Sequence, residues 1–434
     1  MSRSRAQIWL LAFLTFLVAG QANAADSRID FAARRAQVLA RMDSGSAMVL
    51  RSPEMSVRND DVSYPYRQES NLLYLCGLNR PQVSLMLVPS GIAVENSTAR
   101  VLLFAREGGE GEEPLPPVPD GLVLPPGRFP EFLNSLMARV STLFITQSDI
   151  AFTQDWLNGK PLFLERDSRK AAEEKYPQLK VKNAAPVLAG LRQLKSSAEV
   201  ELIRKAIAVT AVGLKRAMEF CRPGVREYEL QAEVEYPMIA SGGTPSFGSI
   251  IGSGPNALIP HYDLNRRTAL AGDVVVMDVG AELEGYAADI TRTIPVSGRF
   301  TAAQRKVYET VLSAQRAAIA AIRPGAPWKT LDATARTVMK DAGFDRFWLH
   351  SISHHLGVDV HDVGSMDTLR AGMVITIEPG IYIPVADTTV TPEYRGIGVR
   401  IEDDVLVTAD GPEVLSSAIS KEFAEIEKIV GRKK

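Results

Sequence analysis

The segments AGDVVVMDVG (residues 271–280) and AGMVITIEPG (residues 371–380) decide the fold of this chain. Each begins with Ala-Gly, continues as an apolar strand of similar length, and ends with an acidic residue, one further residue and a glycine. A single acid at the end of an apolar strand is usually a strand-end or capping residue. Because Asp278 and Glu378 occupy equivalent places in two copies 100 residues apart, we interpret them as parts of one shared site.

The helices around these strands repeat in the same way. In each copy a capping box begins a long helix, Arg-Pro-Gly ends it, and a second helix that ends at a glycine follows. Residues 187–434 are therefore predicted to contain two helix–helix–hairpin units whose sheets meet about a pseudo-twofold axis. The signals are Ser196-x-x-Glu199, Arg-Pro-Gly at 222–224 and Gly242 in the first copy, and Thr301-x-x-Gln304, Arg-Pro-Gly at 323–325 and Gly343 in the second.

Residues 26–186 are predicted to form a separate amino-terminal α/β domain, because short strand-like runs alternate there with helical ones, the first at 28–42. Within it, twelve of the 25 residues from 106 to 130 are Gly or Pro, which predicts a long exposed loop. The fold class is thus α/β (α+β), an amino-terminal domain followed by the duplicated domain.

The start of the chain is predicted to be a signal peptide covering residues 1–24. Arg3 and Arg5 precede an uncharged run at 8–20, and Ala22-Asn23-Ala24 has the small-x-small pattern of a cleavage site. A membrane anchor is the alternative interpretation, but thirteen residues are fewer than the ~20 needed to span a bilayer. We therefore expect an exported protein, periplasmic or secreted, with no stable membrane span after cleavage.

The composition is that of a globular protein with two or three domains. The 434 residues are 46% apolar and 23% charged, and the net charge is −2, so no global field favours nucleic acid or an anionic membrane as a partner. Cys76 and Cys221 are the two cysteines, and they fall in different predicted domains. A disulfide framework is therefore not expected to stabilise the fold.

Asp278 and Asp289 lie on the two strands of one predicted hairpin. A turn centred on Leu283 and Glu284 would place these acids directly opposite each other, with Cβ atoms ~4.5–5.5 Å apart. Two carboxylates at that distance repel each other unless a cation lies between them. A β-bulge would shift this register, so the pairing indicates a metal site without proving one.

The second copy supplies Glu378 and, on its return strand at 398–407, Glu402. Four carboxylates and one imidazole suit two hard divalent cations ~3.5–4 Å apart that share a bridging hydroxide, with Mn²⁺ the most natural choice and Zn²⁺ or Co²⁺ as alternatives. Asp403, beside Glu402, is expected to be a solvated turn residue. The imidazole comes from a cluster of four of the five histidines, namely His350, His354, His355 and His361.

These motifs resemble the five-ligand signature of the pita-bread metallopeptidases, and within them the Xaa-Pro aminopeptidase (aminopeptidase P) branch, with prolidase near by. The resemblance extends from about residue 28 to 415 and includes YPYRQESNLLYLCGL at 64–78, which is similar to the amino-terminal domain of those two branches. It implies a dinuclear enzyme, usually manganese-dependent and often a dimer or tetramer, that hydrolyses peptides with proline at the second position. The motifs are MDVGAELEGYAADITRT with Asp278 and Asp289, SHHLGVDVHDVG with His354, TIEPGIY with Glu378, and YRGIGVRIEDD with Glu402.

The resemblance also implies roles for individual residues. Asp289 and Glu402 would bridge both metals, while Asp278 would bind one metal and His354 with Glu378 the other. Glu378 would also be the catalytic base. His361 would donate a hydrogen bond to the reacting carbonyl. His261 and His350 would line the substrate pocket, with His261 also counted among the catalytic residues, whereas His355 is assigned to packing. Tyr382 and Arg400 stand in matching substrate-binding motifs, and Arg400 is two residues from Glu402, where a guanidinium can orient a ligating carboxylate.

Three departures from the family pattern bear on function. Ser351 replaces a common glycine, residues 106–130 lack a tryptophan often found there, and the segment at 365–371 is shortened. Prolidases present an arginine from that last region to the dipeptide carboxylate, and here only Arg370 is available, directly before a strand. An aminopeptidase is therefore favoured over a prolidase, and a non-catalytic binding relative is the third alternative.

Overall fold

A computed structural model describes residues 29–108, 115–146, 152–155, 160–163 and 173–432 of the chain. The predicted signal peptide at 1–24 lies outside the described residues. Among the described helices, none has both the length and the apolar character that crossing a membrane requires. Cys76 and Cys221 are both buried free thiols.

The amino-terminal domain is built on a mixed six-stranded sheet with strands in the order β10-β7-β1-β4-β5-β6. The strands are β1 Ser46–Arg51, β2 Val57–Asn59, β3 Val62–Ser63, β4 Ser84–Val94, β5 Ser97–Phe104, β6 Leu122–Leu124, β7 Thr142–Ile145, β8 Phe152–Asp155, β9 Lys160–Phe163 and β10 Lys180–Asn183. The helices are α1 Phe31–Leu39, α2 Ser70–Cys76, α3 Phe129–Met137 and α4 Ala185–Arg192. Helices and strands together confirm the predicted α/β class.

The prediction of a continuous loop at 106–130 is wrong in its second half. Leu122–Leu124 forms β6, which pairs in parallel with β5, and α3 begins at Phe129. Three consecutive apolar residues there can complete the free edge of β5. Gly121 permits the approach, since a Cβ at this position would lie 2.4 Å from the Val101 carbonyl oxygen.

The second domain contains the two predicted helix–helix–hairpin copies. Capping boxes at Ser196 and Thr301 open the long helices α5 and α7, which confirms both predicted starts. The first copy comprises α5 Ser197–Phe220, α6 Glu227–Ala240, β11 Thr244–Pro245, β12 Ile250–Ser253, β13 Val274–Val279, β14 Ala281–Leu283, β15 Tyr286–Ala287 and β16 Ile290–Pro295. The second comprises α7 Ala302–Ala320, α8 Lys329–Asp341, β17 Val374–Ile377, β18 Gly380–Tyr382, β19 Gly398–Arg400, β20 Asp403–Thr408 and β21 Gly411–Val414, followed by α9 Phe423–Ile429.

The two copies meet side by side along β16. The Glu402 N–H donates to the Thr291 carbonyl (3.1 Å), and the Thr293 hydroxyl donates to the Arg400 carbonyl (2.8 Å). Helix α5 packs against β14, β15 and β16, and α7 packs against β17, β18 and β19. Each copy thus supports its own strands with its own long helix, and the acids at the strand ends face the line between the copies.

The predicted register of the first hairpin is wrong by two residues, because Asp278 pairs with Thr291 rather than with Asp289. The turn is formed by Glu284 and Gly285, both with positive φ (50° and 78°), as a two-residue hairpin turn matching strand twist requires. A turn one residue earlier would put Leu283 in that unfavourable conformation. Since side chains alternate with a period of two, the shift keeps both acids on one face.

Candidate metal centre

Each predicted ligand lies at or next to the end of a strand. Asp278 is in β13, Asp289 directly precedes β16, and Glu378 directly follows β17. Glu402 lies between β19 and β20. His354 is held beside β17, because its carbonyl accepts from the Thr376 N–H (3.0 Å) and its own N–H donates to the Thr376 hydroxyl (3.1 Å).

These side chains converge on one point. One ligand atom from each of Asp289, His354 and Glu402 lies within 4.8 Å of the others. The His354 Nε2 is 3.4 Å from both Asp289 Oδ2 and Glu378 Oε1, so Glu378 belongs to the same cluster. Asp278 reaches it as well, since its charge acts on the carboxyl groups of Asp289, Glu378 and Glu402.

Burial and mutual repulsion make this a cluster of carboxylates that hold protons. Burial, followed by the charge of Glu402, raises the pKa of Asp289 well above its ordinary value. Burial and then Glu378 do the same to the pKa of Glu402. Burial raises the pKa of Glu378 to about 8. Divalent cations would replace these protons and remove the repulsion.

His354 has the protonation state that a metal ligand needs. Burial lowers its pKa to about 4, so the ring is neutral at neutral pH. Its Nδ1–H donates to the His355 carbonyl (3.0 Å), which leaves the Nε2 lone pair free toward the carboxylates.

The residues present fit two divalent cations. Four carboxylates and one imidazole are a hard, oxygen-rich donor set. In the described part of the chain, the Oδ1 atom of Asp278 is buried and has no hydrogen-bond partner. A buried carboxylate oxygen without a donor is costly, and a cation would satisfy it.

Three residues that the sequence analysis did not select support the ligands. The Thr291 hydroxyl donates to Glu402 Oε2 (2.7 Å), and the Thr376 hydroxyl lies 3.4 Å from Glu378 Oε1. Asp404 Oδ2 accepts from the Asp289 N–H (3.2 Å). Thr291 and Thr376 are each two residues from an acid, a spacing that places side chains on one face of a strand. This spacing is the feature of the sequence that could have identified them as neighbours of the ligands.

Asp403 is fully buried rather than solvated, so its predicted role as an exposed turn residue is wrong. It binds Arg292 (2.8 Å) and Lys421, and Arg292 also donates to the Glu402 carbonyl. Burial acts to raise the pKa of Asp403, but the two cations outweigh it and hold the pKa below its usual range. Asp403 therefore anchors the backbone next to Glu402.

Arg400 orients a different carboxylate from the one predicted. Its guanidinium donates to Asp278 Oδ2 (2.6 Å) across the line between the copies, not to Glu402 on its own segment. It also donates to the Tyr382 hydroxyl (2.7 Å). The strand does not continue past Arg400, because β19 ends there and β20 begins at Asp403. Arg400 and Glu402 are therefore not on one continuous strand, and their side chains do not share a strand face as predicted.

The remaining histidines surround the cluster. The His361 side chain is exposed, and its ring lies edge-on to that of His354 with centroids 4.3 Å apart. His350 Nδ1 donates to the Ser351 carbonyl and Nε2 accepts from Tyr382, both at 2.8 Å, while burial lowers its pKa to about 4. His261 is exposed and lies near enough for its charge to act on His350.

His355 faces away from this group. It is buried, packs on Trp328 (centroids 4.8 Å apart) and donates to the Ser365 carbonyl. A separate cavity of about 580 Å³ opens beside Gly254, Asp273 and Arg395, and none of the five predicted ligands lines it. The metal centre is therefore identified by its donor groups rather than by cavity size.

An α/β domain joined to a duplicated domain, with a carboxylate and imidazole cluster between the copies, defines a two-domain metalloprotein. The family model described as "Metallopeptidase family M24" matches residues 201–409, and "Aminopeptidase P, N-terminal domain" matches residues 31–113. The chain belongs to the M24 metallopeptidases and carries the amino-terminal domain of aminopeptidase P. It is therefore an enzyme whose family uses a divalent metal.

Relatives match almost the whole chain. The Xaa-Pro aminopeptidase of Escherichia coli is 34% identical, covering 93% of this chain and 98% of the relative. Human Xaa-Pro aminopeptidase 3 is 31% identical, covering 94% and 87%. The solved structure of proline aminopeptidase P II from Yersinia pestis has a TM-score of 0.81 and 33% identity, covering 92% of this chain and 98% of that one.

We expect divalent cations to stabilise the protein more at about pH 8 than at about pH 5.5. Without metal, the folded pKa of Glu378 is about 8 against an ordinary value of 4.5, so folding takes up a proton between these values. The stability that this proton adds to the metal-free protein is fully present below about pH 4.5 and is lost as pH rises through about 8. Cations bind the deprotonated carboxylates and gain affinity over the same range.

The measurement is the melting temperature with EDTA and with Mn²⁺ at both pH values. The increase caused by Mn²⁺ should be larger at the higher pH, and Asp289→Asn, which replaces one of the predicted ligands, should lose most of it. An increase that is equal or smaller at the higher pH would contradict the assignment of these carboxylates as ligands.

Proposed function

We propose that the protein is an Xaa-Pro aminopeptidase that hydrolyses the bond between an amino-terminal residue and a following proline. One observation carries this proposal: all five ligands of the family signature are present and converge between the two copies, in a chain that also has the aminopeptidase P amino-terminal domain. Its partners would be peptides with proline at the second position.

Asp278, Asp289, His354, Glu378 and Glu402 would hold the two cations. When bound, two divalent cations would lower the pKa of a water molecule so that hydroxide is available near neutral pH, and they would polarise the peptide carbonyl. We propose Mn²⁺, because four of the five ligands are carboxylates and none is a thiolate; Zn²⁺ and Co²⁺ are the alternatives.

Glu378 is placed to act as the base. Its Oε1 lies 3.4 Å from the His354 Nε2 and 3.4 Å from the Thr376 hydroxyl, so the carboxylate borders the cluster without a strong hydrogen bond to that oxygen. It would accept the proton of the attacking water and pass one to the proline nitrogen. That second transfer is needed because an amine leaves readily only when it is protonated.

His361 would act on the carbonyl oxygen. Its exposed ring stands against His354, so a peptide reaching the cluster would meet the His361 N–H. A hydrogen bond to the oxygen strengthens as negative charge develops there, which favours the transition state over the bound substrate.

A wall of hydrogen-bonded side chains stands beside Glu378, where the His350 Nδ1 lies 3.7 Å from the Glu378 Oε2. Arg400 donates to Tyr382, Tyr382 donates to His350, and His350 donates to the Ser351 carbonyl. Each group in the chain has its donor and acceptor matched, so His350 and Tyr382 are held rigidly. We propose that this wall and the exposed His261 contact the substrate.

The position of Arg370 supports an aminopeptidase over a dipeptidase. Arg370 is exposed and lies before β17, whereas Glu378 follows the other end of that strand. Seven residues lie between them. An arginine there is poorly placed to bind the carboxylate of an Xaa-Pro dipeptide at the cluster.

We expect the Mn²⁺-loaded enzyme to hydrolyse Xaa-Pro-Yaa tripeptides faster than the matching Xaa-Pro dipeptides. The dipeptide leaves a carboxylate on the proline without a cation to bind it, while the tripeptide has a neutral amide there. Initial rates on both peptides, with products identified by mass, test this. A preference for the dipeptide would establish the prolidase alternative, and no cleavage of either would refute the proposed function.

His361→Ala should lower kcat by roughly 10²–10³-fold with little change in KM, the loss typical of one donor to a developing oxyanion. Glu378→Gln should lower kcat further, because it removes the base and weakens a ligand. Steady-state kinetics and metal content measured on both variants separate these effects. If His361→Ala changes only KM, His361 binds substrate and has no part in stabilising the transition state.

We propose that residues 1–24 direct export and that the mature protein begins at Ala25 and forms a dimer or tetramer. The first part rests on the apolar run and the Ala22-Asn23-Ala24 site, and the second on the family resemblance. Intact-mass measurement of protein from the periplasm or medium should show Ala25 as the first residue. Retention of Met1 in that fraction would contradict cleavage.

A further inference from the structure

A group of charges, three of them buried, lies where the amino-terminal domain, the segment from the end of α4 to the start of α5 and the loop after His354 meet. We call it the junction cluster. Its carboxylates come from the loop that carries His354 and His361, and its cations come from outside that loop. The junction cluster consists of Arg67, Arg192, Lys195, Asp359 and Asp362.

Asp362, the residue after His361, is held by both linker cations. Arg192 donates to its Oδ1 (2.5 Å) and Lys195 to its Oδ2 (3.0 Å), and all three side chains are no more than 2% exposed. Burial acts to raise the pKa of Asp362, but Lys195 and Arg192 outweigh it and keep the pKa below its usual range. The carboxylate is therefore ionised and fixed from two sides.

Asp359 connects the same loop to the amino-terminal domain. Its Oδ1 accepts from the Ser70 hydroxyl (2.5 Å) and from Arg67 (3.4 Å), and its Oδ2 accepts from Arg192 (2.7 Å). The other terminal nitrogen of Arg192, Nη1, donates to the Asn71 side-chain oxygen (2.8 Å). One guanidinium thus joins the amino-terminal helix α2 to two acids of the loop.

The loop itself is closed tightly around these acids. The Asp362 N–H donates to the His355 carbonyl (2.8 Å), so the residues on either side of this segment are tied together. A Cβ on Gly357 would lie 2.2 Å from Asp362 Oδ2, so only glycine permits this packing. The Gly357 carbonyl in turn accepts from the Ala287 N–H of the first hairpin (2.9 Å).

The ring of His361 is exposed and contacts the His354 ring edge-on, and among the described residues no side chain forms a hydrogen bond with it. Its position is therefore set by the loop backbone, which Asp362 anchors on one side of His361 and the buried Val358 on the other. We propose that the junction cluster positions His361 over the reacting carbonyl, so that Arg192 and Asp362 are positioning residues and the amino-terminal domain takes part in catalysis through them. This inference rests on the proposed function.

The test is a double-mutant cycle between Arg192→Met and His361→Ala in the Mn²⁺-loaded full chain, with an Xaa-Pro-Yaa tripeptide as substrate. We expect Arg192→Met alone to lower kcat about 10–100-fold, the cost of a misplacement near 1 Å, with KM and metal content little changed. In the His361→Ala background the same substitution should change kcat less than about 2-fold, because the group it positions is already gone.

Arg34→Met is the matched control. Arg34 also forms a buried ion pair between the domains, with Glu199 (3.1 Å), but it does not touch the His361 loop. It should lower the melting temperature by a similar amount and leave kcat within about 2-fold. Arg192→Lys keeps the charge and the fold but loses the fork, so its kcat should lie between those of wild type and Arg192→Met; it replaces Arg192→Met in the cycle if that variant does not fold.

Equal losses of kcat in both backgrounds, or a loss of stability alone as in Arg34→Met, would show that the junction cluster only stabilises the fold and would overturn the inference. A wild-type enzyme that cleaves no Xaa-Pro peptide would instead refute the proposed function itself. The two failures are therefore distinguishable in one set of measurements.

Discussion

The repulsion between buried carboxylates at the line where the two copies meet is the constraint on which the rest of the structure depends. Four strand ends supply these acids, which are Asp278, Asp289, Glu378 and Glu402. Without cations, the pKa values of Asp289, Glu378 and Glu402 lie far above their ordinary range, and Asp278 forms an ion pair with Arg400. Such a cluster has no value for stability, since apolar side chains would pack the same space at lower cost. The presence of such a cluster in a well-packed core therefore indicates a metal centre.

The sequence predicts those parts of the fold that depend on local signals. Capping boxes at Ser196 and Thr301 open the long helices because a side chain there binds the first free N–H groups, whatever surrounds the helix. The acids Asp278 and Glu378 are found because the repeat places them at equivalent strand ends. The predicted hairpin register is wrong by two residues. The register is decided by which turn residues tolerate positive φ, and the turn contains Gly285 rather than Leu283.

What sequence could not supply are the partners that are distant along the chain. Arg400 binds Asp278, 122 residues away, and Asp403 is buried because Arg292 and Lys421 come to it from other segments. An acidic run such as Glu402-Asp403-Asp404 has the same appearance whether it is solvated or enclosed by cations. Only the packing of the two copies, which decides which cations reach it, distinguishes these cases.

Partners that are distant along the chain also connect the amino-terminal domain to the loop that carries His361. The metal ligands lie at or beside strand ends, whereas His361 lies on a loop that is anchored by the buried Leu356 and Val358 and leaves its own ring exposed. Charged contacts add direction to this anchoring, because the Nη2 group of Arg192 donates to Asp359 and Asp362 at once. Since Arg192 ends α4 and also binds Asn71 of α2, it links this loop to the amino-terminal domain. The five predicted ligands thus all come from the duplicated domain, whereas our proposal makes the position of His361 depend on contacts with both domains.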